Sequence, residues 1–149
     1  MGALIAGATA TQADLLYKFG YDLGLAFQIT DDWLDTYGDP KVFGKAIGGD
    51  IVNNKKSWLM TRAFEKADEA CRDELRKAMA MPVGTECEKE AKILAVKAIY
   101  NKLNIGEEAS LNIRQLNEQA LGYAAELGLP DEAYQLLENY ANKLIGRTK

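Results

Sequence analysis

Three aspartates lie close together near the end of one predicted helix, at Asp31, Asp32 and Asp35 in the stretch "FQITDDWLDTYG". Asp31 and Asp35 are four residues apart, so on a helix they share a face, with about 5–6 Å between their Cβ atoms. Their like charges repel each other and also meet the negative end of the helix dipole, at about 0.3–1 kcal/mol per charge. The pattern is typical of a site for a hard cation, although a solvated acidic helix end gives the same spacing.

A stripe of polar and small residues leads to these aspartates along the same helix. Gln28 lies one turn before Asp31 and Asp32, and Gly24 and Gly20 continue the stripe at intervals of four residues. Glycine inside a helix costs about 1 kcal/mol relative to alanine. The stripe therefore indicates a face kept open for a ligand or a close partner helix. Two close helix crossings explain the glycines equally well, but not the carboxylates beside them.

Positive charge follows the aspartates in the segment "GDPKVFGKAIGGDIVNNKK", which contains Lys41, Lys45, Lys55 and Lys56. A lysine-rich loop is usually just solvated. Combined with a DDxxD motif, however, it predicts a diphosphate site in which carboxylates hold Mg²⁺ and ammonium groups neutralise the remaining phosphate charge. The chain contains no histidine, so any metal is expected to be a hard cation bound through oxygen, namely Mg²⁺ or a close relative.

Size and composition predict one domain in 149 residues, of which 48% are hydrophobic, with a net charge of -4. No run of about 18 apolar residues predicts a membrane span, and the dispersed acidic charge argues against nucleic-acid binding. The N-terminal "MGALIAGATA" lacks the basic leader of a signal peptide. Cys71 and Cys87 are able to pair, but the absence of a secretory signal favours two free thiols in the cytoplasm.

Hydrophobic periodicity predicts helices throughout and leaves little room for strands. The "GALIAGA" segment is either a short N-terminal helix or the tail of a longer one. The long helix is expected to begin at an N-cap on Thr11 and to stop at Gly38, and an aperiodic loop follows it. Further helices are predicted at 57–66, after a cap on Asp68, after a Thr85–Glu88 capping box, over 106–127 with a stop at Gly128, and from Pro130 onward.

The run "FQITDDWLD" followed by "GDPKVFGKAIGGDIVNNKKSWL" resembles the second aspartate-rich motif of trans-isoprenyl diphosphate synthases. The resemblance extends over residues 3–149 and is most specific over 24–59. It implies an all-α isoprenoid-synthase-type helical bundle whose N-terminal helices are missing, so that residues 1–149 form the C-terminal half of such a domain. It also implies a homodimer in the complete enzyme.

The reaction that the resemblance implies joins two small diphosphates. An allylic diphosphate held by three Mg²⁺ ionises, and the double bond of isopentenyl diphosphate attacks the allylic cation. The released diphosphate takes the final proton. Carried over residue by residue, Asp31 is the direct ligand of one Mg²⁺, with Asp32 and Asp35 supporting it partly through water. Lys45 and Lys55 grip the allylic diphosphate and stabilise the leaving group.

The remaining transfers concern the substrates. Phe27 and Gln28 are expected to line the space where the cation and the isopentenyl chain meet. Arg147 and Lys149, in the basic C-terminal "IGRTK", are expected to contact isopentenyl diphosphate. The first DDxxD motif and the isopentenyl-binding residues ahead of it are absent, so we expect the isolated chain to be inactive in condensation.

Other classes of function stay open at this stage. The first alternative is a catalytically silent helical partner or regulatory subunit of a complete synthase. A terpene cyclase fits less well, because its second metal motif mixes Asn, Ser or Thr with Glu. A purely structural bundle leaves both the aspartates and the lysines unexplained. The sequence does not indicate the length of the product chain.

Overall fold

The computed structural model describes residues 2–39 and 47–146, and in these ranges the chain is helical and contains no strand. This confirms the all-α prediction. No helix in the described ranges is long and apolar enough to cross a bilayer. The helices are α1 (Gly2–Ile5), α2 (Ala10–Tyr37), α3 (Gly49–Val52), α4 (Trp58–Lys66), α5 (Glu69–Met79), α6 (Glu86–Lys102), α7 (Ile105–Glu126) and α8 (Asp131–Ile145).

Helix α2 is the long helix that carries the aspartates, and its 28 residues correspond to about 42 Å. The predicted N-cap at Thr11 is wrong by two residues, because Thr9 begins the helix. Thr9 Oγ1 accepts the backbone N–H of Gln12, and Gln12 Oε1 accepts the backbone N–H of Thr9. This reciprocal pair follows the Thr-x-x-Gln pattern of a capping box. The predicted stop at Gly38 is confirmed, since the helix ends at Tyr37.

The caps predicted at Asp68 and Thr85 are confirmed, whereas Ser57, predicted as the first residue of a helix, is the N-cap of that helix. The side chain of Ser57 accepts the backbone N–H of Met60 at the start of α4. Asp68 accepts from the backbone of Cys71 at the start of α5, and Thr85 with Glu88 forms the expected capping box of α6. Since each cap is a local arrangement of three or four residues, the sequence is enough to locate it.

The loop predicted after Gly38 contains a short helix that the sequence pattern does not indicate. Helix α3 has only four residues, and it begins after Gly48 in the left-handed region, at φ 88°. Four residues are too few to reveal a helical period. The first segment of the chain contains the helix α1, again of four residues.

The chain divides into two compact units, one formed by Met1–Gln28 with Leu111–Lys149 and the other by Ile29–Ser110. The core of the first unit contains Phe19, Leu23, Ala120, Ala124 and Ala141. The core of the second unit is larger and includes Ile51, Leu59, Leu75, Val96, Tyr100 and Ile105. Both cysteines lie in the second unit as free thiols, Cys71 buried and Cys87 exposed, as expected.

Candidate functional site

The three aspartates lie in the last two turns of α2, within the second unit. Their burial differs strongly. Asp32 is buried, with 5% of its surface exposed, whereas Asp31 and Asp35 are half-buried. A buried carboxylate is stable only with hydrogen-bond or ionic partners. The DDxxD motif is therefore not a uniform acidic surface, and each of its three carboxylates has a separate environment.

Both carboxylate oxygens of Asp32 have partners within the second unit. Oδ1 accepts a hydrogen bond from Lys55 Nζ at 2.9 Å, and Oδ2 accepts one from the backbone N–H of Trp58 at 2.7 Å. Trp58 is the first residue of α4, so its N–H has no partner within its own helix. Asp32 therefore connects the end of α2 both to the Lys55 ammonium and to the N-terminus of α4.

A second carboxylate also contacts Lys55. The Lys55 ammonium donates to Asp50 Oδ2 at 2.8 Å, in addition to its bond with Asp32. Asp50 belongs to α3, and its side chain is 19% exposed. The hydrogen bonds to Asp32 and then Asp50 raise the pKa of Lys55 well above its usual 10.5. The side chain remains 44% exposed, so a fully charged ammonium lies at the surface beside the aspartates.

Asp35 holds the start of α3 against α2. Its Oδ2 accepts the backbone N–H of Asp50 at 2.8 Å, and its backbone carbonyl accepts the N–H of Gly48 at 2.6 Å. Burial raises the pKa of the Asp35 carboxyl, and the hydrogen bond from the Asp50 backbone opposes that effect. The peptide N–H of Lys55 donates to the carbonyl of Asp50 at 2.9 Å. The segment from Gly48 to Lys55 is thus fixed on its α2 side by backbone and carboxylate bonds.

Helix α6 supports the same segment from another side. Lys92 is buried, and its Nζ donates to the carbonyl of Val52, the last residue of α3, at 3.4 Å. Burial lowers the pKa of Lys92. A cation at the C-terminal end of a helix is favourable because the last carbonyls carry partial negative charge. The ammonium of Lys92 therefore contacts the C-terminal end of α3, in the segment that carries Asp50 and Lys55.

Asp31 differs from its two neighbours. Within residues 2–39 and 47–146, no hydrogen bond or ion pair engages the Asp31 carboxylate. No group of three or more Asp, Glu, His or Cys residues in those ranges is arranged to hold a metal by itself. Mg²⁺ is commonly held by one or two carboxylates together with substrate phosphates and water. The donor set around Asp31 fits that mode of binding.

Several predicted site residues lie elsewhere. Phe27 and Gln28 are on α2, in the first unit, with Phe27 half-buried and Gln28 exposed. Lys45, Arg147 and Lys149 lie outside the described residues, so the roles expected of them stay predictions. The structure does bring Asp31, Asp32, Asp35 and Lys55 together.

The sequence analysis does not predict a role for Asp50, which lies in α3, or for Lys92, which contacts the end of α3. Asp50 stands in the "GGDI" stretch, five positions before Lys55. Its position near Lys55, a lysine that the resemblance assigns to diphosphate binding, is the sequence signal that could have indicated Asp50. Lys92 has no such signal, because a lysine in an amphipathic helix is normally exposed.

The two glycines of the α2 stripe make no close contact in the described chain. A Cβ atom built on Gly20 or Gly24 meets no atom within 4 Å. The described residues thus contain no close helix crossing at these positions, and the interpretation of a face kept open stays a prediction.

Comparison with known proteins indicates the family. Residues 1–99 match the family described as Polyprenyl synthetase. A geranylgeranyl diphosphate synthase from Sulfolobus acidocaldarius is 32% identical over 145 residues, which cover 97% of this chain and 35% of that protein. The crystal structure of a geranylgeranyl pyrophosphate synthase matches with a TM-score of 0.86 and 35% identity, covering 99% of this chain and 45% of the other.

A second solved structure is of interest for its ligands. The geranylgeranyl pyrophosphate synthase from Corynebacterium glutamicum, complexed with isoprenyl diphosphate and magnesium, matches with a TM-score of 0.81 and 30% identity. The match covers 98% of this chain and 40% of that one. The chain thus spans less than half the length of each of these relatives.

Proposed function

Because the chain belongs to the polyprenyl synthetase family, we propose that it forms the diphosphate-binding part of a trans-prenyl diphosphate synthase. The complete enzyme would condense isopentenyl diphosphate with an allylic diphosphate into a longer trans-prenyl diphosphate. One observation carries the proposal. The half-buried Asp31 and the ammonium of Lys55, which lies 2.9 Å from the neighbouring Asp32, provide a carboxylate and a cation at the same end of α2.

Mg²⁺ would be held at this site by Asp31, with Asp35 nearby. When bound, the ion would neutralise diphosphate oxygens and so favour departure of the diphosphate group. Asp35 is a weaker candidate for direct contact, because its Oδ2 already accepts the N–H of Asp50. Asp32 would contribute its charge from a buried position.

The chain's own residues would bind and orient the diphosphate. Lys55 is charged over the whole physiological pH range, because Asp32 and Asp50 raise its pKa. Its ammonium would stabilise the negative charge that builds up on the diphosphate as the allylic C–O bond breaks. Lys45 would act in the same way. No histidine is present to take the final proton, which agrees with its transfer to the released diphosphate.

Calorimetric titration of the chain with inorganic diphosphate, with and without Mg²⁺, tests the proposal. We expect Mg²⁺ to tighten binding by about tenfold or more, equivalent to about 1.4 kcal/mol, and Asp31→Asn to remove most of this gain. Asp22→Asn is the matched control, since it removes a carboxylate from the same helix outside the motif. Binding that is unaffected by Mg²⁺ would contradict the metal role of the aspartates.

Catalysis is tested separately. We expect no condensation of isopentenyl and allylic diphosphates by the 149-residue chain alone, since a water-excluding cavity with charge on all sides is required. Adding a separately expressed segment that carries a first DDxxD motif should produce turnover, which Asp31→Asn should abolish. If turnover persists in the variant, the motif is not the metal site. A silent partner would instead yield no turnover with that segment, yet bind a complete synthase.

A further inference from the structure

Asp32 is the member of the DDxxD motif in which both carboxylate oxygens accept hydrogen bonds from the protein. It is 5% exposed, and its two oxygens accept from Lys55 Nζ at 2.9 Å and from the Trp58 backbone at 2.7 Å. Each oxygen keeps a second lone pair, but at 5% exposure little of the Asp32 side chain is open to a metal ion. The geometry thus separates Asp32 from Asp31, which no described residue engages.

Lys55 is held from two elements at once. Asp32 on α2 and Asp50 on α3 accept from the same ammonium, at 2.9 and 2.8 Å. A lysine side chain has four rotatable bonds and is normally mobile, so two short charge-assisted bonds restrict it to one region of space. An ammonium has three N–H groups. Two of them are used by the carboxylates, and one is left for a ligand on the exposed side.

The rest of the network fixes the two acceptors in turn. Asp50 is located by its own backbone N–H, which donates to Asp35 Oδ2 at 2.8 Å. Asp32 is located by the amide of Trp58. Asp35 therefore acts on Lys55 through Asp50, whereas Asp32 acts on it directly.

We propose that Asp32 and Asp50 are positioning residues that hold the Lys55 ammonium at the diphosphate site. This assignment rests on the proposed function and gives each carboxylate of the motif a different role. Asp32 contributes through Lys55, Asp35 through the location of Asp50, and Asp31 through the metal. It also adds a residue outside the motif, Asp50, to the site.

A ligand-free experiment tests the positioning directly. In protein labelled with ¹⁵N-lysine, the Lys55 ammonium should give an NMR signal, assigned by its loss in Lys55→Met, because two carboxylate bonds slow its proton exchange. Asp50→Asn and Asp32→Asn should each accelerate that exchange by about tenfold or more. Asp73→Asn is the control, since Asp73 is an exposed carboxylate that pairs with Arg76. An unchanged Lys55 signal in Asp50→Asn would overturn the proposal.

A double-mutant cycle on diphosphate affinity, measured with Mg²⁺, tests whether the two carboxylates act through Lys55. Asp50→Asn and Asp32→Asn should change the dissociation constant by about threefold or more when Lys55 is present, and by less than about twofold in the Lys55→Met background. Asp31→Asn should keep its full effect in both backgrounds. An effect of Asp32→Asn that persists without Lys55 would identify Asp32 as a metal ligand and overturn the assignment.

The two experiments separate failure of this assignment from failure of the proposed function. If diphosphate binding does not depend on Mg²⁺ but the Lys55 signal depends on both carboxylates, the proposed function is wrong and the positioning stands. Because Asp32 is buried, Asp32→Asn risks unfolding, which circular dichroism would detect. Asp50→Asn then decides the question, since its side chain is 19% exposed and lies in a four-residue helix.

Discussion

A Cβ atom placed on Gly48 would overlap with Cδ1 and Cγ1 of Ile93, so that the Ile93 side chain would have to shift. Gly48 also has a φ of 88°, in the region where residues other than glycine are strained. Helix α6, which carries Ile93, and the start of α3 are therefore in direct contact through this glycine. The same glycine is bonded to the end of α2, because its backbone N–H donates to the carbonyl of Asp35 at 2.6 Å.

Gly48→Ala should consequently lower the free energy of unfolding by about 2 kcal/mol or more, from the left-handed backbone and the clash together. Gly49→Ala is the matched control, because a Cβ there makes only an ordinary 3.4 Å contact with Asp35 Oδ1. Urea denaturation followed by circular dichroism measures both. Equal stabilities for the two variants would show that the approach of Ile93 does not constrain the chain.

Lys92→Met should leave the stability unchanged or increase it by about 1 kcal/mol at pH 7. In the described ranges the buried ammonium has a single hydrogen bond, of 3.4 Å to Val52 O, and no carboxylate partner. Replacing a buried charge by an apolar side chain of similar volume is often stabilising. Lys92→Ala, which removes the packed stem as well, should be destabilising by about 2 kcal/mol.

The pH dependence of Lys92 gives a second measurement. Burial lowers its pKa in the folded protein, so the unfolded chain binds the proton more tightly. The buried charge of Lys92 destabilises the folded protein by its full amount at pH values below the folded pKa. This effect disappears as the pH rises towards the ordinary pKa of 10.5. The stability advantage of Lys92→Met over wild type should therefore shrink between pH 7 and about 10.5 in denaturant titrations. A constant difference would mean that the ammonium is not desolvated.

Glu108→Gln should lower stability at pH 7 but not at low pH. Lys66 Nζ donates to Glu108 Oε2 at 2.9 Å, and Arg62 Nε donates to Oε1. The hydrogen bond from Lys66 is the largest cause that lowers the pKa of Glu108. Because its pKa is lowered in the folded protein, the ionised Glu108 adds stability at pH values above the ordinary pKa of 4.5. This stability is lost as the pH falls through the pKa of Glu108 in the folded protein.

The expected loss in Glu108→Gln is about 0.5–1 kcal/mol, because the side chains of Arg62 and Lys66 are 40% and 39% exposed and solvent screens them. Glu65→Gln is the control, since Glu65 is 58% exposed and pairs with Arg62 only, among the residues that the structure describes. Denaturation between pH 7 and 3 measures the difference. A loss that is independent of pH would point to packing rather than charge.

Gly106→Ala should lower the free energy of unfolding by about 1–3 kcal/mol through overpacking. A Cβ there would lie 2.8 Å from Cε2 of Tyr37, and the Gly106 carbonyl accepts from Trp33 Nε1 at 3.1 Å. Gly122→Ala, in the same helix α7 with nothing within 4 Å of its Cβ, should instead be neutral or stabilising by up to about 1 kcal/mol. Thermal denaturation of the pair checks the contrast.

Local signals explain what the sequence could predict. Ser57, Asp68 and Thr85 each cap a helix through bonds to residues within three positions, so their pattern is visible in the sequence. The Thr9 cap has the same kind of signal in Gln12, three residues later. Helix α3 was missed because its start depends on Asp35, thirteen residues before Gly48.

The candidate site likewise has features that local sequence patterns predict and features that they do not. The spacing of Asp31, Asp32 and Asp35 on one helix follows from the helical period. Their different burial does not, because it depends on Lys55 and Trp58, which are more than twenty residues away in the chain. Asp50 could be identified only once α3 was known to lie beside α2. Pairwise bonds between distant segments are the part of the site that the sequence pattern does not contain.

The unbroken course of α2 from Ala10 to Tyr37 makes the chain far more tolerant of substitution there than of a change in length. One residue removed between Thr11 and Thr30 would turn every position beyond it by about 100° and shift it by about 1.5 Å relative to the helix start. The aspartates would then face a different direction from the residues that precede them, even with every side chain of the motif intact. A one-residue deletion within α2 should therefore disrupt the candidate site more than a substitution at an exposed position of the same helix.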